Sequence, residues 1–117
     1  MKPDADSFLP LSPATLHILL SLAGEPMHGY GIMQEVLLQS GGRYKLGPGT
    51  LYDNLQRLMK QELVEEVTDR REEESSRRRC YRLSALGRGV ISREIARLED
   101  VVHQGRIRLG SLKPRRL

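Results

Sequence analysis

The stretch Leu46-Gly47-Pro48-Gly49-Thr50-Leu51-Tyr52-Asp53-Asn54 holds the side chains best suited to chemistry in this sequence of 117 residues. Pro48 fits the first position of a helix, and Gly47 and Gly49 leave the start of that helix uncluttered. Its free N–H groups and the positive end of its dipole can then approach an anion such as a phosphate. Thr50 and Tyr52 add hydroxyls able to bond phosphate oxygens. Further along, Asn54 and Arg57 are types that read base edges in a major groove, Asn on adenine and Arg on guanine. Asp53 suits either a cytosine amine or an i, i+4 pair with Arg57.

Other chemistries find no support in the residue spacing. His17, His28 and His103 are scattered, and with Cys80 they make no metal-ligand pattern. No nucleophile motif occurs, and no glycine-rich loop follows a strand. No catalytic residue, metal or cofactor is therefore expected. The single cysteine rules out an intramolecular disulfide, and Cys80 is expected to be a small, half-buried strand residue.

A helix start, a core and a support must position the Gly47–Tyr52 stretch. Ser12-Pro13 caps a first helix, whose apolar face is Leu16, Ile18, Leu19, Leu20, Leu22 and Ala23 and which ends at Gly24-Glu25-Pro26. Met27-His28-Gly29-Tyr30-Gly31 is expected to open a second helix, with Ile32, Met33, Val36 and Leu37 inward and a stop before Ser40-Gly41-Gly42. The third helix starts at Gly47-Pro48. Leu51, Leu55, Leu58 and Met59 form its narrow inward stripe; Thr50, Tyr52, Asp53, Asn54, Gln56, Arg57 and Lys60 are expected outside.

Leu63–Thr68 and Arg79–Leu83 then read as two strands by their β-branched and alternating content. The loop between them is densely charged, with Arg70, Arg71, Arg77 and Arg78 around a Glu72-Glu73-Glu74 block. Such a hairpin is expected to act as a wing beside the third helix, its arginines, Arg79 among them, lying along phosphates. Ser84 caps a last helix. Ile91, Ile95, Leu98 and Val102 follow at spacings that make an a/d-like seam for a second copy of the chain, with Phe8 and Leu9 of an N-terminal arm beside it.

The fold class expected is mainly α with a two-stranded wing: a winged helix-turn-helix over residues 1–84, a dimerisation helix over 85–109 and a disordered basic tail over 110–117. Net charge is +4, from 19 bases and 15 acids. Five of the bases, Arg106, Arg108, Lys113, Arg115 and Arg116, lie in the last twelve residues, which leaves 14 against 15 acids elsewhere. A nearly neutral body must gather positive potential locally if it binds nucleic acid. Neither a secretory signal nor a membrane span is legible, so the protein is expected to be cytoplasmic.

Met27-His28-Gly29-Tyr30, Ser40-Gly41-Gly42, Pro48-Gly49-Thr50-Leu51-Tyr52 and Tyr81-Arg82-Leu83-Ser84-Ala85-Leu86-Gly87 together resemble the PadR family of bacterial transcriptional regulators, from about Leu11 to about Leu98. The brief C-terminal helix resembles the compact subfamily. The resemblance implies a homodimeric repressor on double-stranded DNA, with Tyr30 and Tyr52 on the backbone and Thr50 and its neighbours, Lys45 and Gly49 included, at the groove. Gly47 departs from the pattern, because many members carry a capping Ser or Thr there. A small-molecule effector stays open, although a chain without Trp and with one Phe offers little for an aromatic-sandwich pocket. A winged helix used for protein contact, without specific DNA binding, is the alternative reading.

Overall fold

A computed structural model describes residues 4–68 and 79–110. A short 3-10 turn, Ala5–Phe8, leads into α1 (Pro13–Leu22). Then come β1 (Met27–His28), α2 (Gly29–Gln39), α3 (Pro48–Lys60), β2 (Val64–Thr68), β3 (Arg79–Leu83) and α4 (Ala85–Arg108). This is a mainly helical winged helix-turn-helix, as the sequence predicts. No helix among the described residues is long and apolar enough to cross a membrane.

Local signals set most of the boundaries. Ser12 Oγ accepts from Thr15 N–H at the head of α1, with Pro13 at the first helical position. Gly42 N–H bonds Leu37 C=O and Gly41 N–H bonds Leu38 C=O, which closes the end of α2. Ser84 Oγ accepts from Gly87 N–H at 2.9 Å to cap α4.

The sheet differs from expectation. Met27 and His28 do not begin the second helix; they are extended and pair antiparallel with Tyr81 and Cys80 of β3. The sheet thus has three strands in the order β1-β3-β2, not two. The dipeptide carries no turn signal and is too short to show a strand period, so only the presence of β3 beside it decides its conformation. The β2–β3 register places Val64 opposite Leu83 and Thr68 opposite Arg79.

The core lies between the three helices, the sheet and the first turns of α4. Ile18, Leu19, Leu22, Ile32, Val36, Leu51, Leu55, Leu58, Tyr81 and Val90 are all buried in it. Ile91 belongs here too, at 5% exposed, which corrects its expected place on a seam between copies. Phe8 and Leu9 are half-buried against this same core, so the protomer already uses much of their apolar surface. Cys80 is buried rather than half-buried.

The N-terminal arm is fastened to α4 by polar contacts. Leu11 N–H donates to Glu94 Oε2 at 2.9 Å. Arg97 donates to both Glu94 oxygens, at 2.6 and 3.1 Å. The Arg97 hydrogen bonds, helped by the one from Leu11, hold the buried Glu94 carboxyl below its usual range against the opposing effect of burial. Arg93 pairs with Asp6 at 3.1 Å.

Gly87 permits the junction between the wing and α4. A Cβ there would strike the Leu63 carbonyl, with the Leu63 carbonyl carbon 2.9 Å away. That carbonyl accepts from Ser84 N–H at 3.0 Å, so it cannot turn aside without losing the start of α4. Gly87→Ala is expected to destabilise the protein by about 1–3 kcal/mol in urea unfolding. Gly89→Ala, where open space surrounds the added Cβ, should instead gain about 0.5–1 kcal/mol. Equal effects at the two positions would show that helix propensity, not the close approach, governs Gly87.

Candidate nucleic-acid interface

The first turn of α3 projects from the body because the residues on either side of it are anchored. Leu46 is buried before it and Leu51 after it, while Lys45, Gly47, Pro48, Gly49 and Thr50 are all exposed. Gly47 provides no side-chain cap, and the first intrahelical bond runs from Leu51 N–H to Gly47 C=O at 2.9 Å. The N–H groups of Gly49 and Thr50 precede that bond, so they have no acceptor within the helix. They share the outer face with the Thr50 hydroxyl.

Tyr52 leaves the core on the side facing α2. Its ring lies across Gly29, the first residue of α2: a Cβ at Gly29 would meet the Tyr52 hydroxyl and come within 2.9 Å of Cζ. Tyr30, the next residue of α2, is 62% exposed, and Tyr52 is 45% exposed. With His28 and Arg79 these residues line an open cleft of about 490 Å³. Helices α2 and α3 and strand β3 therefore meet where two phenols and a guanidinium surround one space. Arg79 lies 3.7 Å from Glu66, and the guanidinium stays largely exposed. Burial raises the Tyr81 phenol above its usual range, and nearby Glu66 and Tyr52 add to the effect while Arg79 opposes it. Tyr81 itself is buried in the core.

The structure corrects the placement of one of the two base-reading candidates. Asn54 is 8% exposed and points inward, not outward. Its Nδ2 donates to Thr50 C=O at 2.8 Å, and its Oδ1 accepts from Arg57 at 2.6 Å. Arg57 also donates to Thr15 Oγ1 of α1 at 3.0 Å. Arg57 is exposed, as the sequence predicts, and this bond ties its guanidinium to α1. An Asn three residues before an Arg on an amphipathic helix can face either way. Tertiary contacts decide it.

Among the wing residues, Arg79 is exposed at the start of β3, whereas Arg70, Arg71, Arg77 and Arg78 lie outside the described residues, as do Glu72, Glu73 and Glu74. Sequence reasoning missed Arg82, which is exposed on β3 and 3.5 Å from Glu65; its alternation with buried Tyr81 and Leu83 was the available signal. On α4 the expected seam divides. Ile95 and Val102 are exposed, Leu98 is half-buried, and Val101, which the seam spacing passed over, is 54% exposed. The basic tail from 111 on also lies outside the described residues.

Comparison with known proteins gives consistent matches. A family model described as "Transcriptional regulator PadR-like family" matches residues 18–93. The transcriptional regulator Rv3488 of Mycobacterium tuberculosis is 34% identical over 89 residues, which span 76% of this chain and 78% of that protein. A 37.1 kDa protein of transposon TN4556 from Streptomyces fradiae is 36% identical over 97 residues. The match covers 80% of this chain but 26% of that protein, so the chain spans about a quarter of its length. Bacillus subtilis PadR, solved in complex with operator DNA, has a similar fold: TM-score 0.64 at 17% identity, over 74% of this chain and 47% of that one.

The Gly29–Tyr52 contact can be tested without any ligand. Gly29→Ala is expected to cost about 1–3 kcal/mol of stability in denaturant unfolding, with most of that loss absent once Tyr52→Ala has removed the ring. Equal losses in both backgrounds would mean that Gly29 is required for some other reason.

Proposed function

Because the chain belongs to the PadR-like family of transcriptional regulators, we propose that it works as a homodimeric repressor that binds a pseudo-palindromic DNA operator in the cytoplasm. The observation that carries this reading is the cleft lined by Tyr52, Tyr30 and Arg79, together with the exposed first turn of α3. In this reading α3 enters the major groove by its N-terminal turn, where Gly49 and Thr50 approach base edges and adjacent phosphate. Lys45, Tyr30, Tyr52 and Arg79 hold the flanking backbone. Arg70, Arg71, Arg77 and Arg78 are proposed to extend that contact along the wing. The protein performs no catalytic step; it acts by excluding polymerase from the DNA it covers.

The second copy docks on α4. Ile95, Leu98, Val101 and Val102 offer an apolar stripe on the half of the helix that the core does not cover. Burial of such a stripe against its mate stabilises a dimer, at roughly 25 cal/mol for each Å² of apolar surface removed from water. Two-fold symmetry then sets the two α3 helices about 34–36 Å apart, one turn of DNA.

Binding to DNA from upstream of the protein's own gene is expected to weaken steeply with salt, with a log–log slope proportional to the number of phosphates neutralised. Lys45→Ala should lower the slope by about 0.9, and Tyr52→Phe should weaken binding by about 1 kcal/mol. Gel-shift titrations over a range of salt measure both. Binding without salt slope or sequence preference would favour a protein-contact role instead. Ile95→Glu is expected to halve the mass in solution by light scattering, and an unchanged mass would refute the α4 seam.

A further inference from the structure

Asn54 and Arg57 belong to a hydrogen-bonded chain that links α3 to α1. Ser12 Oγ donates to Thr15 Oγ1 at 3.1 Å. Arg57 donates to the same Thr15 oxygen at 3.0 Å and to Asn54 Oδ1 at 2.6 Å. Asn54 Nδ2 in turn donates to the Thr50 carbonyl at 2.8 Å. The chain thus begins at the N-cap of α1 and ends on the backbone of the exposed turn of α3. Its origin is itself held: Leu11, one residue before Ser12, donates its N–H to the buried Glu94 of α4.

We propose that Thr15, Arg57 and Asn54 are positioning residues for DNA recognition: together they set the angle and first-turn geometry of α3 against α1, although none of them touches the DNA. This deepens the reading of the chain as a DNA-binding regulator and rests on it.

Three physical features support the assignment. Thr15 and Asn54 are both buried, at 6% and 8% exposed, so their polar atoms depend on protein partners, Arg57 among them, rather than on water. Two of the bonds come from a charged guanidinium, and such bonds are stronger and more directional than neutral ones. The last bond reaches the Thr50 carbonyl, which lies in the turn that presents the Gly49 and Thr50 N–H groups; a side chain bonded to the carbonyl four residues back bends a helix at that point. A small change there moves the donors that must meet the operator. Loose, sequence-independent contacts with phosphates tolerate the same movement.

The test compares affinity for the operator, located by footprinting, with affinity for a random duplex of equal length, by fluorescence anisotropy. Thr15→Val keeps the shape of the side chain and removes the acceptor. It is expected to lower operator affinity about tenfold while random-duplex affinity changes no more than about twofold, and Thr15→Ser should restore the parent ratio. Combined with Arg57→Met, Thr15→Val should add little further loss, because both break the same chain. An unchanged operator-to-random ratio for Thr15→Val overturns the proposal, as does failure of Thr15→Ser to restore it.

Arg57→Met serves where Thr15→Val does not fold. The same selective loss supports the proposal. An equal loss on both duplexes assigns Arg57 to phosphate, and relaxed preference at a single base pair assigns it to base reading; either overturns the proposal. A parent protein that binds neither duplex overturns the reading of function, and this inference with it, whereas the outcomes above leave that reading standing.

Discussion

The burial of one leucine stripe governs the arrangement of this molecule. Leu51, Leu55 and Leu58 of α3 are fully enclosed by α2, β2 and the rest of the core. Burial of each side chain contributes about 1.5–3 kcal/mol, so α3 has one strongly preferred rotation about its axis. That rotation puts Thr50 outside and Tyr52 against α2. The anchors Leu46 and Leu63, just beyond either end of the helix, prevent it from sliding along its length. Both the projecting first turn and the tyrosine cleft follow from this stripe.

Two close approaches turn this packing into a defined surface. Gly29 lets the Tyr52 ring lie on the first turn of α2, and Gly87 lets α4 meet the Leu63 carbonyl. Each brings two elements into direct contact outside the leucine stripe. Polar contacts add direction where apolar contacts have none. Glu94 secures the start of α1 to α4, and Thr15 secures Arg57 and Asn54.

Much of the helical layout was legible because its signals are local. Ser12-Pro13, Ser84 and the Gly41-Gly42 stop each act within one turn of the chain, and the structure places a helix boundary at every one. The exposed turn at Gly47–Thr50 was legible for the same reason. The Met27–His28 strand was not, because its partner β3 lies more than fifty residues away. The apolar surface of α4 was legible only in part: the four-three-four spacing picked out Ile95 and Val102, which are exposed, and half-buried Leu98, but it included Ile91, which the core takes, and passed over exposed Val101.

By itself, then, the sequence determined most of the helix boundaries, which stripe of α3 is buried, and that its first turn is exposed. Those properties depend on residue type, period and capping within a few neighbours. Tertiary structure alone decided which polar side chains of α3 face outward near the edge of the stripe. Asn54 sits at that edge, where periodicity is neutral, and is buried with bonds to the Thr50 carbonyl and to Arg57, which is itself tied to Thr15 of α1. It likewise decided that Tyr30, Tyr52 and Arg79, from three separate elements, line one cleft. Hydrogen bonds and ring contacts between distant segments form only after the leucine core has brought those segments together, so no local pattern records them.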